Sequence, residues 1–432
     1  MLPPQKPSVG IVGGGQLAWM LAHAAADLGV DLHVQTPNPH DPAARLAASV
    51  VVAPLNDVAA TRRLASRCQV ISFENEWIPL AALEPLRAEG IRFLPDLDAL
   101  WPLVSKRGQR ELLNRLSLPC PRWCPLEAVF PPPPGVDPLI EPDDELPYWG
   151  QPRAVEPPES AFPPPYDDGQ PPAPQLPEGF RFPVIAKAVS GGYDGKGTTP
   201  LRDQAALEEL VAGVDPAGWI LEEQVAFKCE LAMVACRDRH GSVACYPLVQ
   251  THQHHQVCDW VMFPAPVDHA VHAFARNTAV SVLTALDYVG VLSVEFFYGS
   301  AGLQVNELAP RTHNSGHLTI EACRCSQFEQ QLRIVAGLPM GSTEAVLPGA
   351  LMVNLLGHET SRSDYAEQLR ALESLPGAHL HWYGKPEATP GRKLGHLTIP
   401  LQGSSPRELA AERDHLLAEV RALWPLPPDP LE

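Results

Sequence analysis

The chain has 432 residues, of which 45% are hydrophobic and 19% charged, and its formal net charge is −18. That length allows two or three domains with substantial cores. The acidity excludes nucleic acid or an anionic membrane as the partner, since either needs a basic surface. No apolar run is long enough to span a bilayer, and the N-terminal Met-Leu-Pro-Pro-Gln-Lys-Pro carries no apolar signal region. Nine cysteines without CxxC spacing read as reduced thiols of a cytoplasmic protein.

Residues 9–12 read as a short buried strand that runs into Gly13-Gly14-Gly15-Gln16-Leu17-Ala18. Leu17, Met20, Leu21, Ala24, Ala25 and Leu28 then fall on one helical face, Gly29 stops the helix, and residues 31–36 form the next strand. The glycines meet the relaxed dinucleotide fingerprint, but the second strand ends Val34-Gln35-Thr36, without the acid that would hold the ribose. The turn is therefore expected to hold another phosphate-bearing ligand at the helix N-terminus, and not NAD. A third strand, residues 70–73, ends in Glu74-Asn75-Glu76, where open α/β sheets bind ligands. Either acid can bond a polar ligand, and Glu74 is equally suited to capping a helix N-terminus. The 49 prolines are unevenly spread and are densest in residues 130–177, which read as an extended surface insertion.

Residues 183–187 form a strand ending in Lys187, followed by the loop Ser190-Gly-Gly-Tyr-Asp-Gly-Lys-Gly197. Such a loop can fold over phosphates and offer backbone N–H groups, with Lys187 as a point charge. A strand and not a helix follows, so the loop reads as a hairpin lid rather than a Walker turn. The strand 219–225 runs into Glu222 and Glu223, and Glu230 is placed to accept both hydroxyls of a ribose. His252, His254 and His255 alternate with glutamines and read as solvent-facing polar residues rather than metal ligands. Finally, strands 291–297 and 303–306 flank a turn at 298–302, and each brings one carboxylate into an apolar run, Glu295 and Glu307. Buried carboxylates need a compensating cation. Two facing ones suit Mg²⁺, which takes one or two protein carboxylates when it also binds nucleotide phosphates. Arg311, His313, Asn314 and His317 follow at once.

Taken together, Gly13-Gly-Gly-Gln-Leu, Gly191-Gly-Tyr-Asp-Gly-Lys-Gly, Tyr288-Val-Gly-Val-Leu-Ser-Val-Glu-Phe-Phe and Asn306-Glu-Leu-Ala-Pro-Arg-Thr-His-Asn-Ser-Gly-His resemble the 5-(carboxyamino)imidazole ribonucleotide synthase family. The likeness covers nearly the whole chain outside the proline-rich insertion. It implies an α/β and α+β protein of ATP-grasp fold in three parts. These are an N-terminal doubly wound substrate domain (1–103), a small lid domain carrying the insertion (104–225) and a larger C-terminal domain with the Mg²⁺/ATP site (226–432). The implied reaction is ATP- and bicarbonate-dependent carboxylation of aminoimidazole ribonucleotide through carboxyphosphate, in a cytoplasmic homodimer without NAD or biotin.

By the same resemblance, Glu295 and Glu307 hold Mg²⁺, while Lys106 and Lys187 offset the charge of the moving phosphoryl group. ATP falls to Gly192, Tyr193, Asp194, Gly195, Lys196, Gly197, Thr198, Glu222, Glu223, Gln224, Val225, Glu230, Gln253, Asn306 and Glu307. The ribonucleotide falls to Gly14, Gly15, Gln16, Leu17, Glu76, Tyr193, Asp194, Lys196, His313, Asn314, Lys385 and Arg392, with Asp194, Lys187 and Arg311 in catalytic roles. Lys106 and Lys196 stand where many relatives have Arg, and Gln253 where relatives often have a His. Three alternatives remain: a sister ligase using formate and glycinamide ribonucleotide, a nicotinamide oxidoreductase, and an inactive nucleotide-binding regulator.

Overall fold

The computed structural model describes residues 6–130, 173–192 and 197–428. Most of the proline-rich insertion, together with Tyr193, Asp194, Gly195 and Lys196 of the lid loop, lies outside the described residues.

The N-terminal sheet is parallel, with order β3-β2-β1-β4, from β1 (Ser8–Val12), β2 (Asp31–Thr36), β3 (Ser49–Val52) and β4 (Val70–Phe73). The strand at 70–73 is thus the fourth and not the third. Ser49–Val52 is short and half exposed, so its sequence gave little apolar signal. The first crossover is the helix Gln16–Leu28, whose Ala18, Leu21 and Ala25 pack with Phe328 and Leu332 of the helix Gln327–Val335. Gly29 ends it in the left-handed region at φ 66°, as expected of a glycine there. Strand order reverses between β1 and β4, and their C-terminal ends carry the glycine turn and Glu74.

A small antiparallel sheet follows, ordered β5-β8-β6-β7, from β5 (Trp123–Pro125), β6 (Val184–Ala188), β7 (Thr198–Leu201) and β8 (Trp219–Glu223). Its core is Leu126, Val129, Val184, Ala186, Leu201, Leu207 and Leu221. Strand β8 ends at Glu223, two residues earlier than expected, and Gln224 and Val225 belong to the connection into the next sheet.

The large sheet has nine antiparallel strands: β9 (Cys229–Arg237), β10 (Val243–Cys245), β11 (Val249–His254), β12 (Val257–Phe263), β13 (Gly290–Gly299), β14 (Gly302–Ala309), β15 (Gly349–Leu356), β16 (His379–Trp382) and β17 (Lys393–Leu401). Strands β13 and β14 form a tighter hairpin than expected, because pairing continues to Gly299 and Gly302. The helix Lys106–Arg115 lies against β14: Gln109 Nε2 donates to Leu103 O and Leu308 O at 2.8 Å, and Leu308 N–H donates back to Gln109 Oε1 at 2.9 Å. That buried amide clamp sets where the first turn of the helix, and with it Lys106, meets the sheet. Among the described residues no helix is long and apolar enough to cross a membrane.

Candidate active site

The two carboxylates face each other. Glu295 on β13 is the direct register partner of Glu307 on β14, and a register shift follows at once, leaving Asn306 as the extra residue. A bulge of this kind re-aims side chains, and here Asn306 and Glu307 both reach the site. Lys187 Nζ donates to Asn306 Oδ1 at 3.2 Å, Asn306 Nδ2 lies 3.5 Å from Glu295 Oε2, and Lys106 Nζ lies 2.5 Å from Glu307. Burial, followed by repulsion from Glu307, pushes the Glu295 carboxyl up to about 7. Burial opposes charge on Glu307 too, but Lys106 outweighs it and holds that carboxyl below its ordinary value. The pair therefore carries its negative charge mainly on Glu307. Two hard oxygen donors of this kind, next to lysines that can meet phosphate oxygens, fit Mg²⁺.

Behind them lies a buried ion cluster. Glu222, 2% exposed, bonds Arg110 through Oε1 and Lys187 through Oε2, both at 2.7 Å. Burial works against its charge, yet Lys187 and Arg110 together draw its carboxyl down to about 2. Lys187 is itself lowered, because burial and its cationic neighbours Arg110 and Lys106 outweigh Glu222. The two shifts point in opposite directions for ion pairing. The depressed Glu222 is the firmer of the two, since one carboxylate is shared by two cations. The Glu222 side chain thus orients Lys187, and any contact of Glu222 with the nucleotide would be through its backbone. Arg110 was not foreseen, although it sits one helical turn after Lys106 on the same face.

Glu223, Gln224 and Val225 lie where the chain passes from β8 to β9, between the small and large sheets. Thr198 opens β7 opposite Lys187, and Gly192 and Gly197 flank the part of the lid that lies outside the described residues. Glu230 pairs with Thr251 of β11, and Gln253 lies half-buried further along that strand, opposite Cys258. His252 stacks on Trp260 with centroids 5.3 Å apart, and His254 Nε2 lies 3.1 Å from Pro427 O.

At the N-terminal sheet, Glu74 accepts from the N–H groups of Gly15, Leu17 and Ala18 at 2.8, 3.1 and 3.2 Å. Glycines 13 and 15 permit this approach, because a Cβ on either would come within 2.4 or 2.7 Å of Glu74. A protein carboxylate thus occupies these three amides, and a phosphate at the turn would have to meet its other groups. Glu76 instead forms a bidentate pair with Arg311, at 2.5 and 3.1 Å. Burial disfavours ionised Glu76, but Arg311 overcomes it and the carboxyl is held below its usual value.

His313 is fixed by its neighbours. Gln327 Oε1 accepts from His313 N–H at 2.9 Å, and Gln327 Nε2 donates to His313 O at 2.6 Å. Ser315 N–H donates to His313 Nδ1 at 3.3 Å, so the ring proton sits on Nε2, 3.3 Å from Glu295 Oε1. Burial and then Arg311 lower the ring pKa to about 3, and the ring is neutral at physiological pH. Asn314 is engaged elsewhere: its amide exchanges hydrogen bonds with Asn354 at 3.0 and 2.7 Å. That reciprocal pair leaves Asn314 a structural role in place of a side-chain substrate contact. Lys385 Nζ donates to Gln16 Oε1 at 2.7 Å, uniting two predicted ribonucleotide residues distant in sequence. Arg392 is exposed, and its guanidinium donates to Glu387 O at 2.7 Å.

A carboxylate pair and two lysines at the seam of a small antiparallel sheet and a large one, with a glycine-rich hairpin on the small sheet, define an ATP-grasp ligase. The ATP-grasp domain matches residues 168–328, the ribonucleotide synthetase preATP-grasp domain residues 7–101, and the phosphoribosylaminoimidazole carboxylase C-terminal domain residues 350–409. An N5-carboxyaminoimidazole ribonucleotide synthase of Synechococcus elongatus is 46% identical over 419 residues, covering 97% of this chain and 96% of that protein. The crystal structure of the synthetase from Thermus thermophilus superposes with a TM-score of 0.76 at 32% identity, covering 98% of this chain and 100% of the other. The Aspergillus clavatus synthase in complex with ADP and 5-aminoimidazole ribonucleotide gives a TM-score of 0.76 at 26% identity, over 96% of this chain and 99% of that one. The chain belongs to the N5-carboxyaminoimidazole ribonucleotide synthase family, ATP-dependent ligases of purine biosynthesis. These relatives favour the carboxylating enzyme over the formate-dependent sister ligase.

Proposed function

We propose that the chain uses bicarbonate as the carboxyl source and Mg²⁺ as its metal, acting as a cytoplasmic homodimer. The facing carboxylates Glu295 and Glu307, with Lys106 and Lys187 beside them, are the observation that carries the metal in this reading, and the carboxyl source rests on the family. A bicarbonate oxygen attacks the γ-phosphorus of ATP, the bond to ADP breaks, and carboxyphosphate forms. The exocyclic amine of aminoimidazole ribonucleotide then attacks the carboxyl carbon. A C–N bond forms, the C–O bond to phosphate breaks, and the amine loses a proton.

Mg²⁺ held by Glu295 and Glu307 would neutralise phosphate charge. Lys187, oriented by Glu222 and Asn306, meets the transferring oxygens, and Lys106 adds a second positive charge. Arg311, held by Glu76, presents a fixed guanidinium to the carboxylated intermediate. Asp194 is the proposed acceptor of the amine proton. The lid formed by Gly192, Tyr193, Asp194, Gly195, Lys196, Gly197 and Thr198 excludes water, which would hydrolyse carboxyphosphate. Glu223 to Val225, Glu230 and Gln253 take the adenosine, while Gln16, Glu76, His313, Lys385 and Arg392 surround the ribonucleotide. The proposed units are residues 1–103, 104–225 and 226–432.

ADP release by the purified protein with Mg²⁺-ATP and bicarbonate tests the reading. Aminoimidazole ribonucleotide is expected to stimulate it strongly, and the product should carry label from bicarbonate. Stimulation by formate with glycinamide ribonucleotide alone would overturn it.

Glu230 provides a pH signature. Burial pushes its carboxyl up to about 7, and only the ionised form accepts from both ribose hydroxyls. The contact is therefore present above that pH and lost as pH falls through it. Glu230→Gln should raise the KM for ATP several-fold at pH 8, with the ratio of variant to wild type shrinking toward one at pH 6. Taking a ratio cancels the titration of ATP itself. A ratio constant with pH would remove Glu230 from the ribose.

A further inference from the structure

The ribonucleotide end of the cleft carries a cation that no motif in the sequence includes. Arg45 closes the short 3-10 turn Pro42–Arg45, which is tied to the glycine turn by a hydrogen bond from Ala43 N–H to Gly14 O at 3.1 Å. Ala43 is fully buried, so the turn has a fixed seat. On the other side stands Gly384, in the left-handed region at φ 65°, immediately before Lys385. A Cβ on Gly384 would lie 3.6 Å from Arg45 Nη1. The guanidinium thus rests against the backbone that delivers Lys385, whose Nζ bonds Gln16 in the glycine turn at 2.7 Å. Arg45 is exposed, and no described carboxylate pairs with it.

The helix N-terminus beside it does not perform the usual anion-binding role. Its Gly15, Leu17 and Ala18 amides are bonded to Glu74, and a phosphate placed there would meet a carboxylate. Side chains are then needed to meet part of the charge on the ribonucleotide's phosphate. We propose that Arg45 is a specificity-determining residue of the ribonucleotide site, which with Lys385 takes the terminal phosphate monoester of the substrate. The guanidinium supplies paired N–H donors in a planar fork and the ammonium a point charge. Because Arg45 comes from the N-terminal sheet unit and Lys385 from the C-terminal one, a bound phosphate joins the two. This assignment rests on the ribonucleotide reading given under Proposed function.

The test compares Arg45→Gln, Arg45→Lys and Lys385→Gln by ADP release, using aminoimidazole ribonucleotide and its dephosphorylated nucleoside. Arg45→Gln should raise the KM for the ribonucleotide roughly tenfold to a hundredfold, as expected for loss of a charge-assisted bond. It should leave the KM for ATP and the weak use of the nucleoside unchanged, and Arg45→Lys should recover part of the loss. Equilibrium dialysis of ribose 5-phosphate against the same proteins should show the same order without turnover. An unchanged ribonucleotide KM in Arg45→Gln, with a raised one in Lys385→Gln, would overturn the role of Arg45 and keep the function. Equal weakening for nucleotide and nucleoside would also overturn it. Failure of the wild-type protein to respond to the ribonucleotide would overturn the functional reading and this assignment with it.

Discussion

Glu307→Gln is expected to lower ADP release roughly a thousandfold, about 4 kcal/mol in activation free energy, while the protein stays folded. The substitution is nearly isosteric, so packing is preserved. What it removes is the ionised member of the Glu295–Glu307 pair, since Lys106 holds Glu307 charged while burial and Glu307 itself push Glu295 up to about 7. Lys106 loses its partner at the same time. Glu295→Gln should cost less in the metal-free protein, because that carboxyl is already the more readily protonated one. The two variants are compared by ADP release across a Mg²⁺ titration and by Mn²⁺ binding measured with electron paramagnetic resonance. A loss below tenfold in Glu307→Gln, with unchanged Mn²⁺ affinity, would remove Glu307 from the metal site.

The carboxylate pair was legible in the sequence because strand periodicity alone placed Glu295 and Glu307 on adjacent strands of a tight hairpin, where register does the rest. The glycine turn was legible as a turn, and three of its amides hold a carboxylate of the protein itself. Its amides attract negative charge, as the sequence implied, but the charge comes from Glu74 on the neighbouring parallel strand, a pairing fixed by sheet order. Local sequence cannot say whether a carboxylate at a strand end caps a helix or meets a ligand, because both uses follow from the same dipole.

Other residues were hidden because their partners are remote. Gln327 clamps His313 from the helix that also packs on Gln16–Leu28, and Asn354 on β15 takes up Asn314 across 40 positions of chain. Nothing in the composition of either segment marks a glutamine or asparagine as structural. Arg45 was hidden for a different reason: an exposed arginine at the end of a short turn has no periodicity, and only the approach of Gly384 gives it a place.

Arg110→Met is expected to destabilise the folded protein by about 3–5 kcal/mol, the cost of breaking a buried ion pair while leaving its other charge in place. Arg110 is 1% exposed and bonds both Glu222 and Asn306 O, each at 2.7 Å, so the loss touches the ion cluster and the bulge of β14 together. Methionine keeps much of the length of the side chain, which limits the packing term. The effect also has a pH sign. In the wild type the Glu222 carboxyl lies at about 2, below its unfolded value, so its stabilising contribution is full above the ordinary carboxylate range and lost as pH falls toward 2. Without Arg110 only Lys187 remains to hold the charge against burial, and the folded value should rise above the ordinary carboxylate range. Urea midpoints measured at pH 7 and pH 5 check both statements. The deficit should be largest at pH 7 and smaller at pH 5, where protonation begins to relieve the stranded carboxylate. Glu222→Met added to Arg110→Met should recover part of the stability at pH 7 while abolishing turnover, because Lys187 then loses the group that aims it. A midpoint shift worth less than about 1 kcal/mol in Arg110→Met would mean that the cluster is solvated, and that Lys187 is held chiefly by Asn306.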